Sequence, residues 1–154
     1  MNEPHDRIER QTVLRAPRSR VWKMIVDPAQ FGLWLNVRFP FTSFAPGQVA
    51  VGVCTVPEFA DMRWEMVVDR IEAEHHFSYF WHPFAVDKNV DYSGEEKTLV
   101  TFTLEEVDGG EATRLTVVES GFSKVPLARR AKAYEMNGKG WSIVVGSIEA
   151  SVHA

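Results

Sequence analysis

The hydrophobic pattern near the carboxyl end of the chain has the period of an α-helix. Between Val125 and Val152, one set of residues recurs every three or four positions and so shares a helix face: Tyr134, Asn137, Gly138, Trp141, Val144, Val145, Ile148 and Val152. Glycine costs a helix interior about 1 kcal/mol relative to alanine, yet Gly138 and Gly140 both fall inside the pattern. We therefore expect either a neighbour close to the helix backbone or an empty space beneath it.

The preceding part of the chain alternates with the two-residue period of β-strands. The predicted strands are 7–15, 49–55, 62–71, 75–81, 99–107 and 113–119. The last two are joined by Asp108-Gly109-Gly110, which predicts a hairpin turn. Consecutive strands with short connections indicate an antiparallel sheet.

Two short helices are predicted between the first strand and the rest of the sheet. Pro17 suits the first turn of a helix, and an apolar stripe follows it at Val21, Trp22, Ile25 and Val26. Asp27-Pro28 ends that helix, and 31–35 predicts a second one. The order is thus strand, two helices, a run of consecutive antiparallel strands and one long helix. This pattern predicts an α+β fold in a single domain over residues 1–154, with the long helix across a curved sheet.

Five motifs in order resemble the activator of heat-shock-protein ATPase homologue-like (AHSA-like) family of the START/SRPBCC superfamily. They are Ile8 to Trp22 with Ala16-Pro17, Asp27-Pro28 to Trp34, Phe44-Ala-Pro-Gly47, Glu119-Ser-Gly-Phe122 and Asn137-Gly-Lys-Gly-Trp141. The resemblance implies the helix-grip fold, in which a curved antiparallel sheet wraps a long C-terminal helix, with two short helices after the first strand. It implies no single function, because the superfamily includes lipid carriers, hormone receptors, polyketide cyclases and chaperone partners.

Composition and charge limit the function classes. The 154 residues are 45% hydrophobic and 12% aromatic, as expected of a folded domain. A formal net charge of −4 argues against nucleic-acid binding, and no apolar run approaches the ~20 residues that membrane insertion requires. The N-terminus lacks the features of a signal peptide, and the one cysteine, Cys54, has no disulfide partner. These features predict a cytoplasmic protein.

The candidate site is a cavity between the sheet and the long helix, which the helix-grip resemblance favours and the aromatic content permits. We predict that it binds a small hydrophobic or amphipathic ligand. The candidate ligand-binding residues are Trp34, Phe39, Trp64, Met66, Tyr79, Trp81, Phe102, Glu119, Asn137, Trp141 and Val145. Two alternatives remain: the aromatic residues form an ordinary packed core, and the inward-facing Arg10 forms an ion pair with Glu119, which would lower the pKa of that carboxyl.

The sequence offers little for metal, cofactor or covalent chemistry. His75 and His76 point to opposite faces of a strand and His82 stands apart, so neither a metal nor a cofactor is predicted. No catalytic constellation emerges, although Glu119 is the best candidate for an acid or base. A basic patch at Arg129, Arg130 and Lys132 is expected to lie in solvent.

Three functional hypotheses follow from these observations. The sequence favours a ligand-binding protein over an enzyme. The alternatives are a cavity enzyme of the polyketide cyclase or hydrolase type and a chaperone-interacting protein. A homodimer is left open, and the sequence identifies neither the ligand nor the cellular process.

Overall fold

A computed structural model describes residues 6–59, 62–87 and 89–153. Its core is one antiparallel sheet whose strands lie in the order β1-β7-β6-β5-β4-β3-β2. The strands are β1 (Arg7–Leu14), β2 (Val37–Arg38), β3 (Val49–Cys54), β4 (Arg63–Glu72), β5 (His76–Trp81), β6 (Thr98–Val107) and β7 (Ala112–Ser120). The helices are α1 (Arg18–Val26), α2 (Pro28–Leu35) and α3 (Leu127–His153). The predicted α+β helix-grip arrangement is confirmed.

The two short helices follow one another with a single residue between them. Asp27 adopts an extended conformation, and its side chain accepts a hydrogen bond from the backbone N–H of Ala29. Pro28 occupies the first position of α2, where its missing N–H has no helical partner. Asn36 then ends α2 in the left-handed conformation, with φ of 59°. The chain turns there into β2, a two-residue strand that the sequence pattern did not predict.

Helix α3 continues without a break through Gly138 and Gly140. A β-carbon at position 138 would lie 3.4 Å from the guanidinium of Arg10, which reaches across from β1. At Gly140 no atom lies within 4 Å of such a carbon. The two expectations for these glycines are therefore both met: a close neighbour at one and open space at the other.

Edge-to-face packing of aromatic rings fills the centre of the space beneath the sheet. Phe31 of α2 is 1% exposed, and its ring centroid lies 5.5–6.5 Å from six others. The partners are Phe39, Phe44, Trp64, Phe77, Tyr79 and Phe102. We call this group the Phe31 core. Of the described helices, none combines the length and apolar character needed to cross a bilayer.

Candidate functional site

An open cleft lies beside the Phe31 core, where β4 begins and β5 ends. Its outer recess has a volume of about 590 Å³. Trp64 and Trp81 of the sheet form one wall, and the loop that follows β5 forms another, with Phe84 and Tyr92. This volume falls within the roughly 300–1,000 Å³ of typical small-molecule sites.

The inner recess adjoins the outer one, because Leu35, Trp81 and Asn137 line both. It has a volume of about 210 Å³ and lies between α2 and α3. Trp34 and Trp141 also line it, and so does Gly140, whose missing side chain leaves part of the space open. We call the two recesses together the tryptophan cleft.

A buried carboxylate holds the walls of the cleft from behind. Glu119 of β7 is 0% exposed and accepts hydrogen bonds from four side chains. Oε1 accepts from Trp141 Nε1 at 2.8 Å and from Asn137 Nδ2 at 2.9 Å. Oε2 accepts from Trp81 Nε1 at 2.7 Å and from Thr98 Oγ1 at 2.5 Å. Each donor thereby fixes its side chain, so Glu119 orients three residues of the cleft.

The register of the sheet brings these groups together. Glu119 follows Leu115 and Val117 on the inward face of β7 and lies opposite Val100 of β6. Thr98, two residues before Val100, faces the same side and pairs with Trp81 of β5. The donors from α3 are Asn137 and Trp141, which are four residues apart and so share a face of the helix.

Burial controls the ionisation of the two titratable groups behind the cleft. It raises the pKa of Glu119, against the hydrogen bonds from Thr98, Trp141, Trp81 and Asn137, which lower it. Burial also raises the pKa of Tyr79 well above its ordinary value, and the charge of Glu119 adds to this effect. The Tyr79 hydroxyl is buried and has no hydrogen-bond partner among the described residues.

The predicted ion pair between Arg10 and Glu119 is wrong. Arg10 Nε donates to Ser142 Oγ at 2.9 Å, and its Nη2 donates to the Gly138 carbonyl at 3.1 Å. Because position 138 has no side chain, the guanidinium reaches the backbone of α3 and remains half-buried at its surface. Glu119 is left with neutral donors, so the predicted lowering of its pKa is wrong as well.

The basic residue Arg129 also departs from the sequence prediction. Its guanidinium contacts the Glu95 carboxylate at 2.7 Å and the Pro83 carbonyl at 2.6 Å, and it stacks over Tyr92 at 4.8 Å from the ring centroid. Only 19% of the side chain is exposed. Arg129 therefore fastens the loop after β5 to the start of α3 and does not lie free in solvent.

The structure divides the predicted ligand-binding residues into two groups. Five line the tryptophan cleft: Trp34, Trp64, Trp81, Asn137 and Trp141. The other six pack behind it or in the core: Phe39, Met66, Tyr79, Phe102, Glu119 and Val145. Met66 and Tyr79 are 0% exposed and Phe102 is 1% exposed, so the protein's own side chains fill the centre of the predicted cavity.

Sequence reasoning missed the loop between β5 and β6 as a wall of the site. This loop contributes His82, Phe84, Ala85, Val86, Asp87, Val90, Asp91, Tyr92 and Ser93. Its apolar residues have no regular spacing, so periodicity could not place them. The sequence feature that could have indicated this wall is the presence of two aromatic residues, Phe84 and Tyr92, in a loop rich in turn residues. Within the described ranges, no group of three His, Cys, Asp or Glu residues is placed to hold a metal ion.

These features define a helix-grip domain with an open aromatic cleft. The family model "Activator of Hsp90 ATPase homolog 1-like protein" matches residues 15–153. The chain belongs to that family. No curated protein is significantly similar to it in sequence.

Solved structures of the same fold span most of the chain. A solution structure of an Arthrobacter aurescens protein has a TM-score of 0.77 at 22% identity, covering 99% of this chain and 90% of that one. DynU16, a protein of the dynemicin biosynthetic locus, has a TM-score of 0.68 at 20% identity, covering 98% of this chain but 48% of that one. The Aha1 dimer from Colwellia psychrerythraea has a TM-score of 0.66 at 11% identity, with 95% of each chain covered. At these identities the likeness concerns the fold.

Proposed function

We propose that this protein binds a small hydrophobic or amphipathic molecule in the tryptophan cleft. The observation that carries this proposal is that four of the five tryptophans line two adjoining recesses. Elsewhere the same chain buries its aromatic rings against one another, as in the Phe31 core. Apolar pockets with a few placed polar groups are typical of small-molecule sites. Asn137 supplies such a group where the recesses meet.

Glycine at position 140 provides a direct test. Gly140→Phe would project a ring into the inner recess, because the space at this position is empty. Gly146 lies in the same helix, also has nothing within 4 Å of a β-carbon, and lines neither recess, so Gly146→Phe is the matched control. The probe is N-phenyl-1-naphthylamine, an uncharged apolar dye that fluoresces when it leaves water.

The wild-type protein and Gly146→Phe should bind the dye saturably, and Gly140→Phe should bind it at least about tenfold more weakly, a change of about 1.4 kcal/mol. Equal binding by all three proteins would place the dye elsewhere and contradict the proposal. Absence of saturable binding to the wild type would contradict it too.

The fold shared with DynU16 favours a second candidate, a cavity enzyme of the polyketide cyclase or hydrolase type. Glu119 would be its acid or base, and burial raises the pKa of this carboxyl toward the range where such a group works. The carboxylate is nevertheless fully buried, and all four donors come from the protein. A reaction whose kcat falls a hundredfold or more in Glu119→Gln, the scale of general acid–base catalysis, would favour the enzyme.

A further inference from the structure

The orientation of Asn137 shows which kind of hydrogen bond the cleft offers. Its Nδ2 donates to both oxygens of Glu119, at 2.9 and 3.2 Å. A carboxylate accepts hydrogen bonds, so the amide nitrogen must face it and the amide oxygen must point elsewhere. Oδ1 accepts no hydrogen bond from the described residues, and Asn137 as a whole is half-buried. Asn137 lines both recesses, so we take its amide oxygen to be the acceptor that a ligand in the tryptophan cleft would meet.

The neighbouring polar groups are already occupied. Both Trp81 and Trp141 donate their indole N–H to Glu119, so they present only their apolar rings to the cleft. Thr98 is fully buried and donates to the same carboxylate. At the junction of the two recesses the tryptophans therefore present flat aromatic surfaces, and the donors of Trp81, Trp141 and Thr98 are taken up by Glu119. The amide oxygen of Asn137 is the acceptor there.

The charges around the outer recess are mostly negative. Among the described residues, three carboxylates line it, from Glu65, Asp87 and Asp91, against one guanidinium, from Arg63. That guanidinium contacts Glu65 at 2.5 Å, so the charges of this pair offset each other, and the charges of Asp87 and Asp91 remain. Like charges brought together at a binding surface oppose association, so this rim disfavours an anionic ligand.

We propose that the ligand is a planar, mainly apolar molecule without negative charge that donates an O–H or N–H hydrogen bond to Asn137 Oδ1. Ring faces of the tryptophans would contact its plane, and offset or edge-on aromatic contacts of this kind add to the burial of apolar area. This inference rests on the proposed function and specifies its ligand class.

Three naphthalene probes separate the elements of the inference in the wild-type protein. They are 1-naphthol, which has a donor, 1-methoxynaphthalene, which has none, and 1-naphthoate, which is an anion. Calorimetry or tryptophan quenching gives the dissociation constants. The naphthol should bind about three- to tenfold more tightly than the methyl ether, the scale of one net hydrogen bond. The naphthoate should bind most weakly.

The variant Asn137→Leu keeps the size of the side chain and removes the acceptor. It should bring the ratio of naphthol to methyl-ether affinity close to one, and this ratio is insensitive to a general loosening of the cleft that weakens both probes. Ser151→Ala is the matched control, because Ser151 is an exposed polar residue of the same helix that lines neither recess, and the variant should keep the wild-type ratio.

Each outcome decides between the two proposals. Equal binding of naphthol and methyl ether to the wild type, or an unchanged ratio in Asn137→Leu, would overturn the donor inference while the binding function stands. Tightest binding of the naphthoate would overturn the charge requirement. If the wild type binds none of the probes, the proposed function itself fails.

Discussion

The Phe31 core and the tryptophan cleft use similar aromatic residues in opposite ways. In the core, rings meet mainly edge to face around Phe31 and fill the space themselves. In the cleft, Trp81 and Trp141 are held by their N–H groups to one buried carboxylate, and their rings face an open volume. Packing alone closes space, whereas a directional hydrogen bond can hold a large ring beside a gap. Phenylalanine has no such group, so it could not take the place of Trp81 or Trp141 in this arrangement.

The largest loss of stability should come from removing the central ring of the Phe31 core. Phe31→Ala removes a ring that six others contact, and we expect the free energy of unfolding to fall by about 3–5 kcal/mol. Leu33→Ala on the same helix is the control: Leu33 is 71% exposed, so its loss should change stability by less than about 0.5 kcal/mol. Urea unfolding measures both. Equal, small losses would mean that the rings around Phe31 are loosely packed.

A smaller effect is expected from removing the carboxylate behind the cleft. Glu119→Leu leaves the donors of Trp81, Trp141, Asn137 and Thr98 without this acceptor. Trp81 and Asn137 line the open cleft, where water can replace the acceptor, and the Thr98 hydroxyl can rotate to another partner. We therefore expect a loss of about 1–3 kcal/mol, the cost of one unsatisfied buried donor, which is that of Trp141. Glu119→Gln retains one acceptor oxygen and should lose less. The near-ultraviolet circular dichroism of the tryptophans should weaken in Glu119→Leu. A Glu119→Leu protein with wild-type stability and an unchanged tryptophan signal would show that packing alone orients these rings.

A smaller change in the free energy of unfolding is expected from the ionisation of Glu119, and it is measured through the pH dependence of stability. Burial raises the pKa of Glu119 in the folded protein above its ordinary value of 4.5. The folded state then binds the proton more tightly than the unfolded state, so ionisation destabilises the fold. The stability of the wild type relative to Glu119→Gln should be greatest below pH 4.5 and should fall as the pH rises through the folded pKa. Each unit of pKa difference corresponds to about 1.4 kcal/mol.

Urea titrations of both proteins between pH 4 and 8 give that difference directly, because the other carboxyls titrate in both. A difference that increases with pH would mean that the four hydrogen bonds outweigh burial, and that the folded pKa lies below the unfolded one.

Periodicity predicted the fold and the faces of the site residues, but not their partners. The alternation of β7 placed Glu119 inward, and the period of α3 placed Trp141 and Asn137 on the buried face; the structure has all three there. Nothing in the sequence showed that Arg10 would bond to the Gly138 carbonyl instead of Glu119. The periodicity of a strand indicates which face of the sheet a side chain occupies, but not how far it lies from a side chain on another strand.

The location of the open space was also beyond the reach of the sequence. An aromatic residue at an inward position fits a cavity wall and a packed core equally well. Whether a gap remains depends on how neighbouring rings interlock, as Phe31 does with Tyr79 and Phe102. The loop after β5 has no period, so its contribution through Tyr92 and the contact with Arg129 required three-dimensional information.

The most direct test of ligand binding in the cleft is a titration of the ¹⁵N-labelled protein with 1-naphthol, followed through its tryptophan indole N–H resonances. Trp34, Trp64, Trp81 and Trp141 line the cleft, whereas Trp22 lies in α1, is 9% exposed and lines neither recess, so it serves as an internal control. We predict saturable shifts of the four cleft resonances with one common dissociation constant, while the Trp22 resonance stays in place. Absence of saturable shifts, or a Trp22 shift as large as those of the cleft tryptophans, would contradict the proposal.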